Sequence, residues 1–168
     1  MAIRLLGEED AAEWWNLKME ALRTEPLAFG KAFEEHLVTT VAAIAERFRN
    51  RSPDNFSLGA FDGGKLVGIA TFAREAGLKE RHKGHIYGVY VTPAQRRKGV
   101  ARALIATLLS KAREDTSVEQ ILLAAATQQK AARQLYRHFG FETYGIEPRA
   151  LKVGSAYVDE EHMILRLR

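Results

Sequence analysis

The stretch from His85 to Ala112, HIYGVYVTPAQRRKGVARALIATLLSKA, constrains the chain more than any other. His85 to Val91 is rich in aromatic and β-branched residues, which suits a pleated, partly buried strand. Pro93 cannot donate to a ladder, so the strand should end just before it. A basic, glycine-bearing turn follows from Gln95 to Ala101. From there Ala101, Leu104 or Ile105, Leu108 and Ala112 fall on one face of a helix. A helix that begins in a small-residue turn has unpaired N–H groups and the positive end of its dipole. Such an end binds phosphate. Gly99 and Ala101 keep bulk away from the amides, while Arg96, Arg97 and Lys98 add positive charge. The turn is not a Walker A loop, since no Ser or Thr follows the lysine.

The flanking sequence supplies partners for this unit. Ile3 to Leu6 reads as a short strand. The acidic Gly7–Asp10 region then opens a helix to about Arg23, with Ala11, Trp15, Met19 and Leu22 on one stripe and Trp14 and Leu17 widening it. Both tryptophans read as core. Pro26 and Gly30 break the segment from Thr24 to Val38, which reads as an acidic turn over Phe29 and Phe33. Thr39 or Thr40 caps a second helix that buries Ile44 and Phe48. Asn55 to Ala76 reads as a hairpin turning at Asp62-Gly63-Gly64. Val118 to Ala126 is a short apolar run after a helix, hence a strand parallel to the organising one through a right-handed crossover. Ala132, Leu135, Tyr136 and Phe139 share a helical face that Gly140 stops. Two more strands fill Glu142 to Arg168.

Two motifs here resemble those of the GNAT (GCN5-related) N-acetyltransferases. Arg96-x-x-Gly99-x-Ala101, preceded by Val89, Val91 and Pro93, looks like that family's acyl-CoA pyrophosphate loop. Ala132, Leu135, Tyr136, Gly140 and Phe141 look like its Asn-x-x-Ala-x-x-Leu-Tyr-x-x-x-Gly-Phe signature, with Gln129 in place of the usual Asn. The resemblance covers the whole chain as one domain. It implies a mixed α/β (α+β) fold: one twisted, mostly antiparallel sheet of six to seven strands, helices on both faces, and a central parallel pair that splays around acetyl-CoA.

The same resemblance implies the chemistry. Acetyl-CoA is the cosubstrate and a primary amine the acceptor, joined by direct attack in a ternary complex. Val89, Tyr90 and Val91 would hold acetyl-CoA together with Arg96, Arg97, Lys98, Gly99, Val100, Ala101, Arg102, Gln129, Ala132 and Tyr136. A backbone N–H near Val89 would meet the oxyanion. Tyr136 would protonate the leaving thiolate, since a phenol near pKa ~10 matches a departing thiol. The segment between the first helices would wall the acceptor site through Phe29, Phe33 and Glu34, with Tyr157 as a further contact. His85 stands where some members place a basic glutamate. An imidazole near pKa ~6.5 suits a base. Strict alternation would put His85, Tyr87, Val89 and Val91 on one face, with His85 roughly 20 Å from Val91 at ~3.3 Å per residue. Glu34, Glu35 and His162 are rival bases. The other class of reading is a module that binds acyl-CoA to regulate a partner without catalysis.

Composition excludes several alternatives. In 168 residues there is no cysteine, hence no disulfide framework, thiolate metal site or cysteine nucleophile. The five histidines lack HExxH spacing, so no metal is expected. No Gly-x-Ser-x-Gly elbow is present. A net charge of +4 is modest, and the basic run at Arg96–Lys98 lacks interleaved aromatics, so no nucleic-acid partner is expected. No leader-like opening and no apolar run near ~20 residues point to a cytoplasmic protein with no membrane association. A homodimer is compatible with this reading.

Overall fold

Periodicity in the sequence becomes seven strands and five α-helices in the computed structural model, which describes residues 1–168. The order is β1 (Ala2–Leu5), α1 (Ala11–Thr24), α2 (Phe33–Leu37), α3 (Val41–Arg49), β2 (Asn55–Asp62), β3 (Lys65–Arg74) and β4 (Lys83–Val91). Then come α4 (Val100–Glu114), β5 (Gln120–Ala126), α5 (Lys130–His138), β6 (Glu142–Val153) and β7 (Ala156–Arg166). All strands join one sheet in the order β1-β2-β3-β4-β5-β7-β6. Every neighbouring pair is antiparallel except β4 and β5.

One face of the sheet carries Phe72, Ile86, Val91, Ile121, Leu123 and Met163 against Val100, Leu104 and Leu108 of α4 and Tyr136 of α5. The opposite face carries Ile69 and Tyr90 against Trp14 and Leu17 of α1 and Ile44 and Phe48 of α3. Thr40 caps α3 by accepting a 3.1 Å bond from the Ala43 amide. No helix is long and apolar enough to cross a membrane.

The segment between α1 and α3 differs from the expected turn over two phenylalanines. His36, only 1% exposed, is its buried anchor. Its ring stacks on Trp15 at 5.6 Å and meets the edge of Trp14 at 5.7 Å. Phe29 and Phe33 are each half-buried instead. An imidazole with two indole partners fills the gap that shorter apolar side chains would leave.

Alternation along β4 also fails, and a glycine is the reason. Tyr87 faces Thr71 and Tyr90 faces Ile69, so Gly88 and Val89 together oppose the single residue Ala70. Gly88 has φ +60°, a conformation that glycine adopts at little steric cost. The bulge shifts the parity of the strand. Val89 and Val91 therefore pack on the α4 side, while His85, Tyr87 and Tyr90 face the α1 side.

Candidate active site

β4 and β5 pair only over Lys83–His85 and Gln120–Leu122, then part. Beyond that point each strand turns unpaired backbone toward the other. The Thr92 amide reaches Val67 of β3 at 2.9 Å, so by alternation Val91 and Val89 direct their N–H and C=O groups into the gap. The carbonyl of Val91 is met there by Arg96 Nε at 3.2 Å.

The turn closing this gap leads into α4. Ala103 is the first α4 residue whose amide finds a carbonyl, that of Gly99 at 3.0 Å. The amides from Arg97 to Arg102 are consequently without backbone partners. Gly99 is the N-cap with φ +81°, and Arg97 is left-handed at φ +63°. Open space lies where a Gly99 side chain would project. Left-handed residues beside a helix N-terminus form a concave row of N–H groups suited to phosphate. Arg97, Lys98 and Arg102 flank it on the surface. Arg96, also exposed, instead reaches across to Glu25 at 2.8 Å. Gln129 reaches the same carboxylate from the far side of the gap at 3.4 Å, so Glu25 links the α4 turn to the start of α5. Ala132 is partly buried on that helix against the α4-side core.

Tyr136 sits on α5 below the parted strands and is 6% exposed. Phe141 packs against its ring at 5.9 Å. The turn after α5 locks this pair: the Phe141 amide bonds the Tyr136 carbonyl at 3.1 Å and the Gly140 amide bonds that of Arg137 at 2.9 Å. Burial pushes the phenol well above its ordinary pKa, so it stays protonated at any physiological pH.

His85 occupies the point where β4 and β5 separate. Its Nε2 lies 2.8 Å from Glu75 and its ring stacks on Tyr87 at 5.6 Å. It stands on the sheet face opposite Val89, four residues and roughly 13 Å away at ~3.3 Å each. The two positions are therefore out of direct hydrogen-bond reach of each other. His162 shares the face of His85, paired across β5 through Ala124. It bonds Glu147 at 3.1 Å, and Glu160 completes a trio whose ligand atoms lie within 4.8 Å of one another.

The remaining predicted acceptor residues divide. Phe29 lies 6.3 Å from Tyr90, edge to face, on the α1 side. Phe33 is covered by Arg23 at 4.9 Å, and Glu34 is exposed without an ion-pair partner. Tyr157 lies exposed near the β6–β7 turn beneath Arg149 at 3.8 Å. That hairpin comes close to the loop after α1, since a side chain at Gly30 would begin 3.9 Å from Leu151.

Residues 12–141 match the acetyltransferase (GNAT) family. The chain belongs to this family. Over 105 residues it is 34% identical to the N-alpha-acetyltransferase RimI of Mycobacterium tuberculosis, covering 62% of this chain and 63% of that protein. A GNAT acetyltransferase structure from Streptococcus pneumoniae superposes with a TM-score of 0.88 at 21% identity, over 99% of both chains. Salmonella typhimurium yncA, solved with its cofactor acetyl-CoA, gives 0.86 at 24% identity, over 100% of this chain and 94% of that one. These two likenesses speak for the fold.

One residue of the site escaped sequence reasoning. Lys18 of the acetyltransferase is 9% exposed, on α1, with Nζ 4.1 Å from the Phe29 ring centroid. It lies four residues after Trp14 and seven after Ala11, both buried, so helical spacing placed it inside the apolar stripe.

Proposed function

We propose that this acetyltransferase passes the acetyl group of acetyl-CoA directly to a primary amine within a ternary complex. The row of unpartnered amides from Arg97 to Arg102, at the mouth of the parted β4 and β5, carries this reading. It suits a pyrophosphate, and the backbone of Val89 with the Val91 N–H suits the pantetheine amides as an added strand, the Val91 carbonyl being met by Arg96.

In this reading the neutral amine's lone pair attacks the thioester carbonyl, and the Val89 N–H meets the developing oxyanion. Collapse of the intermediate breaks the C–S bond. The thiolate takes the Tyr136 proton, and the phenolate recovers one from the ammonium through water. Burial keeps the phenol protonated and able to donate, and by raising its pKa also makes it a weaker acid than the phenol near ~10 that matched a departing thiol. Before attack, His85, held by Glu75, takes through water the extra proton with which the acceptor arrives as an ammonium, which leaves the amine neutral. Release of free thiol from acetyl-CoA across an amine panel tests the reaction. Tyr136→Phe should lower kcat roughly 10²-fold with little change in the KM for acetyl-CoA. Near-normal turnover in that variant removes Tyr136 from the chemistry. CoA binding without amine-dependent thiol release favours a non-catalytic acyl-CoA sensor.

A further inference from the structure

Cations gather on the α1 side of the site without acidic partners. Lys18 makes no hydrogen bond or ion pair in the chain. Only Trp14 Nε1 and His36 Nε2 are wholly occluded and unbonded side-chain polar atoms, so the Lys18 ammonium keeps an opening to solvent. Lys31 from the α1–α2 loop and Arg47 from α3 both repel it. Arg47 lies 4.5 Å over the Trp14 ring, and Lys31 bonds only the Thr39 hydroxyl, at 3.3 Å. Buried charges are usually paired, because an unpaired one loses its hydration without compensation.

The position of Lys18 says what would pair it. A side chain added at Gly88 would begin 3.7 Å from Lys18 Nζ. Gly88 is the bulge residue immediately before Val89, whose N–H faces the parted strands. The phosphate cradle lies at the start of α4, which packs on the opposite face of the sheet. The α1 side is thus left for the acceptor. An attacking nitrogen must lie ~3–3.5 Å from the carbonyl carbon. A carboxylate on Lys18 needs about 2.8 Å. Both distances are met by an acceptor whose acidic group lies within a few bonds of its amine. Phe29 and Tyr90 supply apolar walls.

We propose that Lys18 binds the carboxylate of the amine acceptor, so that the acceptor class is free amino acids and similar carboxylate-bearing amines. This inference rests on the acetyl-transfer reading above. Bound acceptor supplies the counter-ion that the protein lacks, and neutral amines of the same shape leave Lys18 unpaired.

The test uses the common L-amino acids and their C-terminal amides as matched pairs, read by thiol release from acetyl-CoA. For the best acid, kcat/KM should exceed that of its amide by at least tenfold. Lys18→Met keeps a stem of similar length and should lower that acid-to-amide ratio tenfold or more, mainly through KM. No acid outperforming its amide overturns the proposal, as does an unchanged ratio in Lys18→Met. A variant that loses acid and amide turnover equally, with a shifted pH profile, makes Lys18 a proton acceptor and also overturns it. Thiol release with none of the probes counts against the acetyl-transfer reading instead. Calorimetric titration of the CoA-bound protein with the same acids then still reads Lys18. Binding by wild type that Lys18→Met abolishes supports the carboxylate site; absent or equal binding overturns it.

Discussion

Replacing Lys18 with Met should stabilise the unliganded protein, because the charge it removes is buried without a partner. Burial first, then repulsion by Lys31 and Arg47, lowers the Lys18 pKa from 10.5 to about 8. Each unit of that displacement is worth ~1.4 kcal/mol, which puts the penalty on the charged form at about 3 kcal/mol. Methionine loses the cation–π contact with Phe29, worth about 1 kcal/mol, and keeps the packing of the stem. The net gain is about 2 kcal/mol at pH 7, or a melting temperature raised by roughly 4–8 °C for a chain of this size.

The pH dependence of that gain identifies its origin. Below about 8 the lysine is protonated in both folded and unfolded chains, and the full penalty applies. Between there and its ordinary 10.5, the unfolded chain binds the proton and the folded one does not. Stability of the wild type relative to Lys18→Met therefore rises with pH across this window. The groups around Lys18 are Lys31, Arg47 and His36, whose own pKa burial lowers, with Tyr90 on β4. They are common to both proteins and largely cancel in the difference. Thermal denaturation of the two proteins at pH 7 and pH 10 measures it. A variant that melts below wild type at pH 7, or a gap that does not narrow by pH 10, refutes the argument.

Three further outcomes are expected. Gly99→Ala places a Cβ on a left-handed residue, costing about 1–2 kcal/mol locally, and should weaken CoA binding by calorimetry at least tenfold; unchanged affinity would move the phosphate elsewhere. His85→Gln should remove or displace the acidic limb of kcat/KM against pH for an accepted amine, and an unchanged limb would show that His85 is not the proton acceptor. Asp10 is held below the ordinary carboxylate range first by hydrogen bonds from Arg4, at 2.7 Å each, and also by the Gly7 amide at 2.8 Å. Its contribution is present above the ordinary range and lost as pH falls through its lowered native value. Asp10→Asn should cost about 2 kcal/mol at pH 7 in denaturant titrations and flatten that acid dependence.

Much of the fold was legible because periodicity and punctuation agreed. The Asp62-Gly63-Gly64 turn joins the hairpin it announces, and Pro93 lies one residue beyond the end of β4. The short run before Ala126 forms the strand parallel to β4. Gln129, Ala132 and Tyr136 fall together on or beside α5 because helical spacing is regular. The acceptor side was less legible, for two physical reasons. A glycine inside a strand signals either a weak strand or a bulge, and only pairing with β3 decides which. Lysine on a helix ordinarily reads as solvated, so nothing singled out Lys18 although its spacing from Trp14 is that of the core.

These two residues act on each other, and neither is interpretable alone. Without the extra residue at Gly88, β4 would keep one parity from His85 to Val91, and His85 and Val89 would share a face. With it, the backbone of Val89 faces the gap while the α1 side opens beneath a residue that has no side chain. Lys18 comes within ordinary contact distance of that vacant position. Any side chain at 88 would have to adopt φ +60° and would stand beside the ammonium. The bulge that turns the Val89 backbone toward the gap therefore also leaves the unpaired cation open to whatever approaches that backbone. That is why an unfavourably buried lysine is best understood through the acceptor rather than through the stability of the fold.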